Sequence, residues 1–340
     1  MVDEMELAGR LKDAAPLGDA AFEEARAQLR ETMGRPRPVG RKRRTWAIWS
    51  TAGLGIAASA VAVTLVIAPA TQPGSPGRPS AGPPAAAHAQ TPLMRLAAAI
   101  TAKETPLPGD ATLIIRTQVN AQGQSTGGGA DLYTDSGAYY WAPAESGLPQ
   151  QISEHDDIGG GGFARELAAA RYAVNGDLTT ARQRMAIAML DPNQPKLTWR
   201  QQVAQLKAIA RAKHAKIPIP VHPPTAAQRA ASMDNEIWEN SLDALQAGAG
   251  QPEVRAGVLR LLSTLPEVTV RSTDINGAAM LTLTATAPAM PANYQETLTI
   301  NGTTGVPVNF AGGVPGHRPD TTSTYRVSRV TVAAIAAGRF

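Results

Sequence analysis

The most pronounced feature of the hydrophobic pattern is an apolar run between Thr45 and Ala70, in which no residue from Ala47 to Ala68 is charged. At about 1.5 Å of rise per residue, a helix over the charge-free part is roughly 33 Å long, enough to cross a hydrocarbon core of about 30 Å. In lipid, only a helix satisfies the backbone polar groups of a lone span. We therefore predict a transmembrane helix over residues 45–70.

Basic residues border one end of this predicted helix closely and the other end only at a distance. The cluster that precedes it consists of Arg41, Lys42, Arg43 and Arg44, whereas the first basic residue after it is Arg78. The positive-inside rule then predicts a single-pass protein of the cell membrane, with a cytoplasmic N-terminus and an extracytoplasmic C-terminal part. A cleaved leader is the alternative, because Ala68-Pro69-Ala70 resembles a processing site. The 44 residues ahead of the run are long for a leader.

Two polar segments flank the predicted span. Residues 1–44 form the predicted cytoplasmic tail, and eight acidic and four basic residues lie within its first 34 positions. Phe22, Leu29 and Met33 have helical spacing there, which is typical of a helix that binds in the groove of a partner protein. A solvated tail without a partner explains the same pattern. Residues 71–90 are rich in Pro, Ala and Gly, which predicts an extended linker.

After residue 90 the pattern is that of a folded domain, which we predict to span residues 91–340. Thr91-Pro92 is typical of a capped helix start, and residues 163–250 carry helical stripes that predict a helical excursion. Alternation of period two predicts strands at 112–119, 130–134 and 138–142 and in five further segments between 266 and 332. Gly127–Gly129 predicts a flexible turn. Because the last five strands are joined by short connections, they predict an antiparallel meander and an α+β domain.

Aromatic residues concentrate in the predicted hairpin, although they make up only 4% of the chain. Alternation puts Tyr139 and Trp141 on one face of the strand. Together with Tyr133, they are candidates for the wall of a ligand groove. Cross-strand packing in the core is the alternative explanation.

Basic residues form a stripe on the helix predicted near residues 196–213. Lys196, Arg200, Lys207 and Arg211 fall within about 60° of one another at 100° per residue. No acidic residue lies between Asp191 and Asp234. We take the four residues as candidates for contact with an anionic surface, either lipid headgroups or a wall polymer. A core helix with a solvated flank has the same pattern.

Composition and motifs exclude several kinds of chemistry. The chain has no cysteine, which excludes disulfides, thiolate zinc sites, iron–sulfur clusters and Cys nucleophiles. The sequence contains no H-E-x-x-H or Walker A motif. Glu154, His155 and Asp157 are of hard-metal ligand types, but their spacing fits no known motif. We therefore predict no catalytic residue, cofactor or metal, and no nucleic-acid partner, since six of the basic residues cluster at 35–44.

The segment Thr297 to Phe310, TLTINGTTGVPVNF, resembles a strand–turn–strand of the lipoprotein-carrier (LolA/RseB-like) fold. That fold occurs in a periplasmic carrier and in an anti-sigma regulator. The positions that match are Leu298, Ile300, Asn301, Thr304, Gly305, Val306 and Pro307. The resemblance implies a curved antiparallel sheet with helices packed on one side, whose concave face binds an apolar or envelope ligand.

The whole layout, including Gly250 to Val268 (GQPEVRAGVLRLLSTLPEV), is similar to actinobacterial single-pass membrane proteins with an anti-sigma-factor-like layout. This likeness implies a membrane-anchored sensor or regulator without catalytic activity, coupled to a cytoplasmic partner such as a sigma factor through residues 1–34. The chain departs from anti-sigma factors because its tail has no His-Cys-Cys zinc motif. A tethered carrier or structural binding module is the alternative.

Overall fold

The computed structural model describes residues 91–193, 197–212, 219–291 and 293–340. The described helices are α1 (Pro92–Lys103), α2 (Leu148–Ser153), α3 (Gly162–Asn175), α4 (Leu178–Ala186), α5 (Trp199–Ala212), α6 (Ala226–Ala247), α7 (Pro252–Leu262) and α8 (Val332–Ala336), with a 3-10 turn at Glu145–Gly147. The predicted tail, span and linker lie outside the described residues. Among the residues that are described, no helix combines the length and the apolar character that crossing a membrane requires.

Eight strands form one antiparallel sheet, which confirms the prediction of an α+β domain built on a curved antiparallel sheet. They are β1 (Ala111–Asn120), β2 (Ser125–Thr134), β3 (Tyr139–Ala142), β4 (Val268–Ile275), β5 (Ala278–Ala285), β6 (Gln295–Asn301), β7 (Pro307–Gly313) and β8 (Thr321–Val330). Their order in the sheet is β3-β2-β1-β8-β7-β6-β5-β4. Two meanders, β1–β3 and β4–β7, are therefore joined by β8, which pairs with β1 over ten residues on one side and with β7 on the other.

The long helices cover one face of the sheet, which we call the inner face. Alternate residues of the strands point toward these helices and bury apolar side chains in one core, for example Ile114 on β1, Leu283 on β5 and Leu298 on β6. Helix α7 packs on α1, α3 and α6. Because the chain has few aromatic residues, Leu, Ile, Val and Ala supply most of this core.

Two short helices cover the opposite face near β1, β2 and β3. Leu148 of α2 and Ile335 of α8 pack there with Leu113 and Leu132. The prediction that helices pack on one side is therefore correct for the long helices and wrong for α2 and α8. The reason is that the alternating strands β1 and β2 carry apolar residues on both faces at this end, and the second face also needs a cover.

The Gly127–Gly129 segment is a strand, so the predicted turn was placed wrongly. The turn lies at residues 121–124 instead, where the Asn120 side chain accepts hydrogen bonds from the backbone of Gln122 (3.0 Å) and Gln124 (2.9 Å). Gly129 is needed for another reason. Its φ is +136°, and a Cβ there would lie 2.6 Å from the carbonyl oxygen of Ala142.

The two segments that carried the sequence resemblances meet in the fold. Arg255 of α7 is buried, and its Nε donates to the carbonyl oxygen of Thr304 in the β6–β7 turn at 2.7 Å. The same guanidinium forms an ion pair with Glu104, just after α1. Arg255 therefore joins α1, α7 and the β6–β7 turn.

Candidate functional site

Polar side chains interrupt the apolar inner face of the sheet opposite α6. Helix α6 presents Glu236, Glu239 and Asp243 on one side, because their spacing is three and then four residues. Glu296 of β6 shares the inner face with Leu298. Glu166 of α3 lies beside Asp243. We call the set Glu166, Glu239, Asp243 and Glu296 the acidic recess.

Glu239 and Glu296 form a carboxyl pair between the helix and the sheet. Trp238 Nε1 donates to Glu296 Oε2 at 2.7 Å, and the Glu239 and Glu296 carboxyls hydrogen-bond each other. Two carboxyls can do this only when one of them holds a proton. Burial raises the pKa of Glu239 well above its ordinary value, and the neighbouring charge of Glu296 adds to the effect. Burial also raises the pKa of Glu296, although the Trp238 hydrogen bond opposes that shift.

Asp243 and Glu166 form the second part of the acidic recess. Burial, with a further contribution from Glu296, raises the pKa of Asp243 to about 7. Glu166 is fully buried, and neither of its carboxyl oxygens has a hydrogen-bond partner among the described residues. Burial and the charge of Asp243 raise the pKa of Glu166, whereas Arg165 opposes the rise. The recess therefore contains buried hydrogen-bonding capacity that the described protein groups leave unused.

Solvent still reaches part of the recess. Glu239 and Asp243 are half-buried by surface area, yet desolvation is the main cause of their raised pKa values. Partial exposure together with strong desolvation means that protein surrounds these two side chains without closing them off from solvent. Glu239 and Asp243 therefore keep part of their surface in contact with solvent.

An ion pair with no net charge borders the recess on the inner face. Arg116 Nε lies 3.1 Å from Asp131 Oδ2, and Tyr139 Oη donates to Asp131 Oδ1 at 2.7 Å. Although burial opposes it, the charge and hydrogen bond of Asp131 raise the pKa of Arg116. Burial, followed by the charge of Asp131, raises the pKa of Tyr139. The guanidinium of Arg116 is thus paired with the carboxylate of Asp131.

The predicted groove aromatics are divided between the core and the surface. Tyr133 and Tyr139 stack with ring centroids 4.7 Å apart, and both rings meet Phe163 edge-on at 5.1 Å. Trp141 is 37% exposed and lies over Gly129. Through its hydrogen bond to Asp131, Tyr139 contacts the ion pair that borders the recess. The role of the three residues in a ligand groove stays a prediction.

The predicted basic stripe lies on α5, at the surface. Arg200, Lys207 and Arg211 are exposed, and Lys196 falls outside the described residues. Arg200 and Lys207 line a shallow open groove together with Trp199, Val203 and the segment 219–221. The contact of this stripe with an anionic surface stays a prediction.

The polar run at residues 153–157 is an exposed turn. Asp157 Oδ1 accepts hydrogen bonds from the backbone N–H groups of Tyr139 (3.0 Å) and Gly159 (2.9 Å), so this carboxylate shapes the loop. Glu154 accepts from Gln150, and His155 Nδ1 lies 3.1 Å from the carbonyl oxygen of Ser153. Within the described ranges, no three His, Asp or Glu side chains are arranged to hold a metal ion.

The acidic recess was not predicted, although the sequence contains two signals for it. Glu239 and Asp243 recur at helical spacing between residues that are buried, such as Ile237 and Leu242. Glu296 alternates in phase with the apolar Leu298. Acidic residues on the apolar face of an element are unusual, because a buried charge is costly. Comparison with protein-family models, curated proteins and solved structures finds no match for this chain.

Proposed function

We propose that this protein is a membrane-anchored extracytoplasmic sensor or regulator whose sheet domain binds a ligand in the acidic recess. The observation that carries the proposal is the fully buried carboxyl of Glu166, which has no hydrogen-bond partner among the described residues and lies beside the half-buried Asp243. A buried polar group without a partner costs about 1–3 kcal/mol. A ligand that binds both carboxyls would remove that cost, which is a reason for a binding protein to retain them.

Binding, rather than catalysis, is the activity that these groups favour. The exposed turn at 153–157 uses Asp157 to hold backbone amides. In the recess, Glu239 and Glu296 bond each other, and Glu296 also accepts from Trp238. The sequence resemblance implies an apolar or envelope ligand. The side chains of the recess favour a polar ligand instead.

The membrane anchor and the cytoplasmic tail that we propose are inferred from the sequence. The predicted helix 45–70 and the arginine-rich border at 41–44 put the tail in the cytoplasm and the sheet domain outside. The acidic tail would then report ligand binding to a cytoplasmic protein, for which a sigma factor is our candidate. A tethered carrier with a LolA-like sheet is the second candidate function, and it needs no such partner.

The topology is tested by cysteine labelling, because the natural chain has no cysteine. Ser232→Cys puts one thiol on an exposed position of α6, and Gln28→Cys puts one in the tail. A membrane-impermeant maleimide should label the first variant in intact cells and the second only after lysis. Labelling of position 28, but not of position 232, in intact cells would overturn the proposal.

Deletion of residues 1–34 separates a sensor from a tethered carrier. We expect the truncated protein to keep its labelling at position 232 but to produce the transcript profile of cells that lack the protein. If its transcript profile matches that of cells with the full-length protein, and full deletion changes the profile, the sensor hypothesis is wrong and the carrier hypothesis gains.

A further inference from the structure

Helix α5 is buried along a narrow strip and carries cations on its exposed side. Among its described side chains, only those of Gln202 and Leu206 are buried. Arg200, Lys207 and Arg211 are exposed, and no carboxylate of the described residues lies within ion-pair distance of them. These cations are therefore available to an anionic partner outside the domain.

Apolar side chains adjoin the cations on α5. At about 100° per residue, Val203 lies about 40° from Trp199, and the three cations follow at about 80–120°. Trp199 and Val203 line the shallow groove together with Arg200 and Lys207. The helix contains no acidic residue. An apolar strip directly beside a basic strip is typical of helices that lie in a lipid–water interface.

The segment 219–221 supplies the other wall of the groove, and its tip is apolar. Val221 is 82% exposed, more than any other large hydrophobic side chain among the described residues. Pro220, Pro223 and Pro224 have no backbone N–H. This segment therefore brings few unsatisfied donors into lipid, where each of them would be costly.

The shape of the groove favours a bilayer over a folded partner protein. The groove is shallow and open to solvent. Tight protein–protein interfaces depend on anchor side chains that fill well-packed pockets, which such a groove does not provide. Binding to a bilayer needs only apolar area that enters the interface and cations that meet anionic headgroups.

The predicted anchor keeps a bilayer within reach of the domain. The predicted linker, residues 71–90, has 20 residues, which span at most roughly 66 Å at about 3.3 Å each. Tethering raises the effective concentration of the bilayer around the domain, so that even a weak contact becomes populated.

We propose that α5 and residues 219–221 form a membrane-contact surface for an anionic phospholipid leaflet. Trp199, Val203 and Val221 enter the boundary between headgroups and acyl chains, and the three cations of α5 bind lipid phosphates. The inference rests on the membrane anchor of the proposed function, and it gives the sheet domain a second attachment to the bilayer.

The test is the emission of a polarity-sensitive nitrobenzoxadiazole label at position 221, in full-length protein reconstituted into vesicles. Val221→Cys supplies the only thiol, because the natural chain has no cysteine. With phosphatidylglycerol in the vesicles, we expect blue-shifted emission that is quenched by a lipid with a nitroxide near the top of its acyl chain. With phosphatidylcholine alone, the emission should be that of a label in water. Both leaflets have the same composition, so the orientation of the protein does not affect the comparison.

The matched control for the label is Val314→Cys. Val314 is also an exposed valine, at 40% of its surface, and a label there should report water in both kinds of vesicle. Inorganic phosphate, added in place of phosphatidylglycerol, should not shift the emission from position 221.

The cations are tested in the background labelled at position 221. Arg200→Gln combined with Lys207→Gln should lower the ratio of docked to free domains about 25-fold, because each basic residue near an anionic surface contributes about fivefold. Arg271→Gln combined with Arg318→Gln removes the same charge from exposed positions and should leave the ratio unchanged.

Four results would each overturn the inference: equal emission from position 221 in the two kinds of vesicle, an equal shift at position 314, an equal loss in the control charge variant, or a shift produced by phosphate. A blue shift at position 221 in detergent, before lipid is added, would indicate self-association instead and would overturn it as well. None of these results changes the maleimide labelling, so the topology of the proposed function fails or stands separately.

Discussion

The charge of Asp243 affects the pKa of several other groups on the inner face. Its charge contributes to the raised pKa of Glu166, Glu239 and Tyr325, which come from three different elements. Burial and Glu296 in turn raise its own pKa to about 7. A single carboxyl therefore links the protonation of α3, α6 and the sheet.

Replacing Asp243 by Asn should change how stability depends on pH. The folded-state pKa of about 7 lies above the ordinary value of 3.8, so the folded protein holds more protons between these limits. The contribution of Asp243 to stability is present below about pH 4 and is lost as pH rises toward 7. Relative to the natural protein, Asp243→Asn should therefore become progressively more stable over that window, by at most about 1.4 kcal/mol per pH unit.

Thermal unfolding of the full-length protein at several pH values measures this difference. Asp156→Asn, at an exposed position, is the control whose difference from the natural protein should stay flat. A difference for Asp243→Asn that does not vary with pH would contradict the raised pKa.

For single residues, the sequence predicts the face of a strand to which a side chain points better than it predicts how deeply that side chain is buried. Alternation along a strand puts the neighbours Tyr139 and Tyr140 on opposite faces, and the two residues do pack in different clusters. The burial of Glu166, Asp243 and Glu296 was not predicted. These residues are brought together by contacts between segments more than 50 residues apart, and the local pattern carries no information on that pairing.

Helices α3 and α7 cross so closely that only a glycine fits at the contact. A Cβ on Gly257 would collide with the backbone carbonyl oxygen of Ala170, which is not the movable end of a side chain. Gly257→Ala should therefore destabilise the protein by about 1–3 kcal/mol through overpacking, despite the better helix propensity of Ala. Ser232→Ala on the exposed side of α6 is the control and should change the unfolding temperature little. An unchanged unfolding temperature for Gly257→Ala would contradict this crossing.

Helix α5 carries the basic stripe, and its cleavage by trypsin reports on contact with lipid. If Arg200, Lys207 and Arg211 rest on an anionic bilayer, cleavage at α5 should be several-fold slower in proteoliposomes with phosphatidylglycerol than in those with phosphatidylcholine alone. Cleavage at the exposed Arg339 should be equally fast in both.

Arg200→Gln combined with Lys207→Gln should abolish the lipid dependence of the remaining cleavage at Arg211. Equal cleavage of unaltered α5 in the two kinds of vesicle would exclude the lipid surface as its partner.

At the scale of elements, the sequence predicted most of the strands and the start of α1. Thr91 caps α1, and each of the five C-terminal alternating segments forms a strand. The exception at Gly127–Gly129 has a physical cause. Glycine relieves steric crowding between neighbouring strands as readily as it permits a turn, and the sequence does not distinguish the two.

The order of strands places β8 in the middle of the sheet. It pairs with β1 on one side and β7 on the other, so its removal would leave two separate meanders. Deletion of residues 321–340 should therefore abolish cooperative thermal unfolding, measured by circular dichroism. Deletion of 339–340 is the control and should preserve it, because those two residues are exposed. A cooperative transition in the longer deletion would show that one meander folds without β8.

Placing the last strand at the middle of the sheet also has a consequence for biosynthesis. Until residues 321–330 leave the ribosome, β1 and β7 have open edges, and such edges recruit other chains. On the proposed topology, this incomplete sheet would emerge from the translocon outside the cell, beyond the reach of cytoplasmic chaperones. The yield of the folded sheet domain then depends on whether pairing with β8 is faster than aggregation, and extracytoplasmic folding factors would shift that balance.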